Sequence, residues 1–154
     1  MSNRPYAKET TVPWRRSKQE IEDLIEKRDG TATGTIINAE QCLAIIAFEL
    51  DGYRFRFSLP LPHLEDFVHN QKGRRQAAKQ VNESYEKELR RKWRSLLATV
   101  KAKFISVEDG IEVIESAFMA QIVMPNGMTM EEWAVPQLHD FYASGNMPPL
   151  LPGG

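Results

Sequence analysis

Nine apolar residues constrain the shape of this chain more than any others: Leu89, Trp93, Leu96, Val100, Phe104, Val107, Ile111, Ile114 and Phe118. They recur in steps of three and four, the spacing of a single apolar stripe on a helix with a heptad-like period. The stripe runs through Gly110, and a glycine costs only about 1 kcal/mol in a helix interior. One helix over residues 82–119, bent near Gly110, is therefore expected. The rival is two helices broken at Ser106, because Ser106-x-x-Asp109 has the form of a helix cap. At about 1.5 Å per residue the single helix is roughly 55 Å long. A compact chain of this size is only about 40 Å across. One end of such a helix overhangs its own domain, and a second copy of the chain is the simplest cover for the overhanging stripe. A homo-oligomer formed through the long helix follows as an expectation.

The remaining elements follow from local signals. Pro5 and Pro13 disfavour helix around them, so residues 1–16 read as an extended arm, with Trp14 anchoring its end. Ser17-x-x-Glu20 reads as a capping box, and Ile21, Leu24 and Ile25 give a narrow stripe, so a short helix over 18–28 should end at Gly30. From Thr31 the period becomes strand-like, with strands expected over 33–37, 42–50 and 53–59. Asp51-Gly52 is a strong hairpin signal, because both central residues of a type I′ turn take positive φ. A two-residue loop pairs Leu50 with Tyr53, Phe48 with Phe55 and Ile46 with Phe57 on one core face. It pairs Glu49 with Arg54 and Ala47 with Arg56 on the exposed face. Leu61, Leu64, Phe67 and Val68 suggest a helical turn, and Lys72-Gly73-Arg74-Arg75 a flexible basic loop. Thr129 with Glu132 makes a second capping box before a helix with Trp133, Leu138 and Phe141 inward, kinked or divided at Pro136. The fold class is α+β: a short N-terminal helix, a three-stranded antiparallel meander, a long helix, then a C-terminal helix. One domain over 17–145 lies between the arm at 1–16 and an extended tail at 146–154.

The charges are unevenly placed. Residues 72–103 hold eleven Lys and Arg against three Glu, about +8, whereas the whole chain is −1. Such a split points to a polyanion or to an acidic protein surface. Lys87, Arg91 and Arg94 lie three or four residues apart, so they can line one side of a helix and meet successive phosphates. Arg74 and Arg75 in the loop, with Arg54 and Arg56 on the exposed strand face, complete the candidate nucleic-acid contacts. Two other readings stay open, an acidic surface on a partner or a second copy, and a solvated helix face paired with Glu83, Glu86 and Glu88. The aromatic residues Tyr53, Phe55 and Phe57 read as core, because their cross-strand partners are apolar.

Catalytic chemistry finds little support. No Gly-rich phosphate loop, nucleophile elbow or Cys-His arrangement is present, and no cofactor is expected. Glu108, Glu112 and Glu115 share a face near Asp109, but one helix face rarely supplies the converging oxygens of a metal site. Charge complementarity with the basic end of a second copy is the better reading. His63 and His69 flank Glu65 and Asp66 without a metal-ligand spacing. A lone Cys42 excludes an internal disulfide and reads as a buried, inert thiol, which fits a reducing cytoplasm. No apolar run has the length of a membrane span, and residues 1–11 lack the apolar stretch of a secretory signal.

Five segments together resemble a known group. They are Thr11-Val12-Pro13 leading into Ser17-x-x-Glu20-Ile21; Phe57-x-Leu59-Pro60-Leu61-Pro62; Arg91-x-x-Arg94 with Lys101-Ala102-Lys103; Met124-Pro125-x-Gly127; and Pro148-Pro149-Leu150-Leu151-Pro152. This set, spanning nearly the whole chain, resembles small proteins of tailed phages and prophages. The resemblance implies a gene near phage replication or recombination genes and a place in the bacterial host cytoplasm; it transfers no residue roles. The order of helix, meander and long helix is also similar to the core of single-strand annealing proteins, a likeness of topology alone. An accessory protein of DNA replication or recombination, binding single-stranded nucleic acid without sequence specificity, is the function expected. A protein-interaction module is the alternative.

Overall fold

The apolar stripe forms a helix, but the helix stops before the stripe does. In the computed structural model, which describes residues 3–147 and side chains from residue 14 onward, α1 spans Asn3–Glu26. Strands β1 (Thr31–Asn38), β2 (Leu43–Leu50) and β3 (Tyr53–Pro60) follow, then a 3₁₀ turn at Leu64–Phe67. Next come α2 (Ala78–Glu108), the short α3 (Ile114–Ala117), a 3₁₀ turn at Met119–Gln121, and α4 (Met130–Ser144). The fold is α+β, as expected. Most of the expected tail lies outside the described residues, including its Pro148-Pro149-Leu150-Leu151-Pro152 run.

The meander has the expected register. Asp51 and Gly52 take φ of 52° and 82°, and Leu50 pairs with Tyr53, Phe48 with Phe55, Ile46 with Phe57, Glu49 with Arg54 and Ala47 with Arg56. The alternation puts Ala44, Ile46, Phe48, Leu50, Phe55, Phe57 and Leu59 on a buried inner face. α1 and α2 complete the core, with Ile21 and Ile25 of α1 and Leu89, Trp93, Leu96, Val100 and Phe104 of α2 all buried. Trp14 stacks on Trp93 at 5.3 Å between ring centroids, and near the other end Arg28 bonds to Glu108. The two helices therefore run side by side in the same direction. Cys42 is half-buried against the core, in the turn before β2 rather than in the strand, with φ of 47°.

Three expectations about the helices are corrected. First, residues 3–16 are helical rather than extended. Pro5 falls in the first turn, where an N–H has no intrahelical partner to lose. Pro13 does forgo one bond, but the adjacent Trp14 reaches Trp93 from this helical backbone, and such packing overrides propensity. Ser17 consequently sits buried within α1 and caps nothing. α1 ends in a Schellman motif: the Gly30 N–H donates to the Ile25 carbonyl at 3.0 Å and the Asp29 N–H to Glu26 at 3.0 Å. Asp29 takes the left-handed position, φ 62°. Gly30 is needed for room, because a Cβ there would lie 2.7 Å from Ile25 Cγ2.

Second, residues 82–119 are not one helix. α2 ends at Glu108 with a second Schellman motif, the Ile111 N–H donating to the Ser106 carbonyl at 2.9 Å and the Gly110 N–H to Val107 at 3.2 Å. Gly110, at φ 72°, supplies the left-handed residue. Ser106 does not begin a helix; its hydroxyl donates to Glu112 at 2.8 Å. The reversal leaves Ile111 exposed and brings Phe118 back into the core, where it meets Phe48, Phe55, Phe57 and Phe104. Apart from Ile111, the stripe is thus covered within the chain by α1, the sheet and its own returning end. The α2 residues Val81, Leu89, Trp93, Leu96, Val100 and Phe104 need no second copy to cover them.

Third, Thr129 caps α4 as expected, accepting the Glu132 N–H at 3.1 Å. Pro136 lies inside one undivided helix. Trp133 and Leu138 do not turn inward, however. About half of each is exposed, Phe141 is only half-buried, and α4 has no buried residue. Its body-facing side meets little more than the 3₁₀ turn at Met119–Gln121.

Candidate nucleic-acid interface

α1 and the sheet cover one side of α2, so the other side faces solvent. At 3.6 residues per turn Lys87, Arg91 and Arg94 fall opposite the buried line of Leu89, Trp93 and Val100. These three cations line one cleft of about 560 Å³. The facing wall comes from the segment after β3, through Asp66, Phe67, His69, Asn70, Gln71 and Gln76, and Ser84 and Glu88 of α2 complete the lining, so two carboxylates stand beside the three cations.

That wall is a built hairpin rather than a flexible loop. His69 pairs with Arg75 in an antiparallel bridge, and the Asn70 N–H donates to the Arg74 carbonyl at 2.9 Å. The Asn70 side-chain oxygen accepts from the Lys72 and Arg74 amides, both at 2.9 Å. Gly73 takes the left-handed conformation, φ 77°. A short turn closed by a left-handed glycine is a standard three-residue hairpin connection. Gln76 ties the base down, its amide donating to the Phe67 carbonyl at 3.0 Å. Phe67 meets Tyr85 of α2 edge to face, 6.3 Å between centroids. Arg74 and Arg75 are exposed on this hairpin, next to the wall of the cleft but not among its lining residues.

The three cleft cations differ in readiness. Lys87 and Arg94 have no partner among the described residues. Arg91 donates to Glu88 through Nε at 2.9 Å and Nη2 at 2.5 Å. These bonds hold the Glu88 carboxyl below the usual range and raise the Arg91 pKa. Arg91 is therefore already engaged by Glu88, whereas Lys87 and Arg94 are not engaged among the described residues. Deeper on the same helix, burial pushes the Tyr85 hydroxyl and the Glu86 carboxyl up, with Arg90 partly opposing the shift of Glu86.

Arg54 and Arg56 stand elsewhere. They lie on the sheet face turned away from α2, and both are engaged. Arg54 meets Glu49 at 3.3 Å. Arg56 bonds to Glu132 at 2.6 Å and to the Gly127 carbonyl at 3.2 Å, which lowers the Glu132 pKa. Of the seven candidate contacts, the structure gathers Lys87, Arg91 and Arg94 in the cleft, sets Arg74 and Arg75 beside it, and separates Arg54 and Arg56 from it. A smaller depression of about 350 Å³ is lined by Arg54 together with Asp29, Glu49 and Asp51, so acids outnumber the one cation there.

The acids of the late segment are dispersed. Glu108 bonds to Arg28, Glu112 to Ser106, and Glu115 accepts from the Tyr53 hydroxyl at 3.2 Å, which raises the Tyr53 pKa. Among the described residues no group of three or more His, Cys, Asp and Glu is placed to hold a metal ion. His69 lines the cleft, and His63 and His139 are exposed outside it. Beyond Lys103 the sequence has seven Asp and Glu and no Lys or Arg. No helix among the described residues is long and apolar enough to cross a membrane.

His69, Asn70, Gln71 and Gln76 were not candidates from sequence. The available signal was Asn70-x-x-Gly73, an Asn that can accept from its own turn followed by a glycine at the left-handed position. Compared with family models, curated proteins and solved structures, the chain gives no match.

Proposed function

We propose that the protein is a phage-type accessory of DNA replication or recombination that binds single-stranded nucleic acid, without sequence specificity, along the cleft between α2 and the 69–75 hairpin. The observation that carries this reading is the convergence of Lys87, Arg91 and Arg94 on one cleft, with Lys87 and Arg94 unpaired among the described residues. The volume falls within the roughly 300–1,000 Å³ of small-ligand pockets, which suits a short stretch of one strand and not a duplex. Phosphates meet the α2 cations, and the exposed Arg74 and Arg75 extend the positive track beyond the cleft. Sequence-neutral affinity is what backbone contacts supply. The phage setting rests on the resemblance of the five sequence segments.

Fluorescence anisotropy with a labelled oligothymidylate tests this reading. Affinity should fall steeply with salt. Lys87→Gln with Arg94→Gln should weaken binding at least tenfold at low salt and flatten the log–log salt slope by about 1.4, roughly 0.7 per lost phosphate contact. No binding at low salt, or a slope unchanged in the double variant, overturns it.

The second reading is a protein-interaction module whose basic helix face meets an acidic surface of its own oligomer or a partner. The run of seven carboxylates past Lys103 without a single Lys or Arg favours it. It predicts a salt-sensitive self-association that the same double variant abolishes, with no nucleic-acid binding.

A further inference from the structure

Charge alone explains the cleft poorly. Lys87, Arg91 and Arg94 line it together with Asp66 and Glu88, so three positive charges less two negative leave only +1. The bonds from Arg91 to Glu88, at 2.9 and 2.5 Å, tie up part of that charge. A bare polyanion meets little net attraction in such a site. The two walls, however, are chemically unlike. All three cations stand on α2, whereas the wall built by the segment after β3 carries Phe67, His69, Asn70 and Gln71.

Phe67 is the only apolar side chain among the lining residues, and it is half-buried. Its ring meets Tyr85 at an interplanar angle of 80°. In an edge-to-face pair the edge of one ring meets the face of the other, so at least one face of Phe67 stays clear of Tyr85. The Gln76 side chain fixes the backbone here by donating to the Phe67 carbonyl. Two residues on, the exposed His69 adds a second flat ring, its backbone held by the bridge to Arg75. Asn70 commits its side-chain oxygen to the Lys72 and Arg74 amides. Its NH₂ group and the whole side-chain amide of Gln71 have no partner among the described residues. Flat rings and free amides are the groups that take the faces and the edge of an unpaired base. Asp66, on the same wall, repels phosphate from it and toward the cations of α2.

We propose that the unit recognised by this cleft is a nucleotide whose base is unstacked from its neighbours, with the base on Phe67 and the phosphate on Lys87 and Arg94. The inference rests on the reading that the cleft binds nucleic acid, and it names what that strand must carry: accessible bases, and not phosphate alone. Every base has a flat face, so stacking on Phe67 selects single strands without selecting sequence. A duplex keeps its bases paired and stacked on each other and cannot make the contact.

Anisotropy with two labelled oligomers of equal length and charge, an oligothymidylate and an abasic strand, tests the inference. The oligothymidylate should bind roughly tenfold more tightly or better, the scale of one base–aromatic stack, with the same salt slope for both. Phe67→Ala should remove that advantage and leave the affinity for the abasic strand unchanged, which also shows that the cleft is intact. Phe67→Trp should keep the advantage, and its added emission should be quenched by oligothymidylate and not by the abasic strand. Equal binding of the two oligomers by the wild type, an equal loss for both in Phe67→Ala, or an unquenched Phe67→Trp overturns the inference. Salt-sensitive binding that depends on Lys87 and Arg94 would then leave the nucleic-acid reading standing. If neither oligomer binds at low salt, both fall.

Discussion

α2 buries six side chains along 31 residues, whereas α4, half as long, buries none. Both are helices with abundant apolar residues, so the difference does not lie in composition. It lies in cover. α2 is flanked by α1, lies over the inner sheet face, and receives Phe118 when the chain turns back. α4 hangs from a short connection and touches little beyond one 3₁₀ turn, leaving Trp133, Leu138 and Tyr142 in water. An apolar helix face shows that something is to be covered, but the rest of the chain decides whether anything is there to cover it.

The sharpest way to break this comparison is to truncate the same residue type in each helix. Trp93 is fully buried and stacked on Trp14, so Trp93→Ala should cost about 3–5 kcal/mol in urea unfolding. Trp133→Ala should cost under about 1 kcal/mol. Similar losses at the two sites would mean that α4 is packed as α2 is. A smaller effect is expected at the joint between the two regions. A Cβ at Gly110 meets nothing within 4 Å, so Gly110→Ala is penalised by its left-handed backbone alone, about 1–2 kcal/mol. A stabilised Gly110→Ala variant would show that the reversal is not needed. The smallest effect belongs to the clamp that ties α4 to the sheet. Arg56 holds the Glu132 carboxyl below its usual range, so the pair's contribution is present above an unfolded pKa near 4.3. It is lost as pH falls through the lower folded pKa. With both side chains partly exposed it is worth at most about 1 kcal/mol. Arg56→Gln should therefore narrow the gap in Tm between pH 7 and pH 3; an unchanged gap would mean that the pair contributes nothing.

What could be read beforehand follows the range of the interactions. Asp51-Gly52 fixes a two-residue loop, and alternation does the rest, so every hairpin pair from Leu50–Tyr53 to Ile46–Phe57 was legible. The end of α2 was not. Gly110 would cost only about 1 kcal/mol in a helix interior, and the apolar stripe happens to stay in phase across it, so only the destination of Phe118 in the core reveals the reversal. The start of α1 was hidden because two prolines weigh against helix locally, while the stacking of Trp14 on Trp93 spans almost eighty residues of chain. In the cleft, the spacing of Lys87, Arg91 and Arg94 was enough to place them on one face. The opposite wall was not legible, because Arg74 and Arg75 looked mobile until Asn70 and Gly73 were seen to close a hairpin. Arg56 looked available because its partner, Glu132, is far away in sequence.

The last consequence concerns the carboxylates gathered beyond Lys103. α2 is about 46 Å long, several screening lengths at physiological salt, where the Debye length is about 8 Å. Its cationic early half and the carboxylates at its far end therefore act as separate poles rather than cancelling. A molecule with a total charge of −1 behaves as a dipole in an external field. Isoelectric behaviour reports only the sum of the charges, whereas the encounter rate depends on their arrangement.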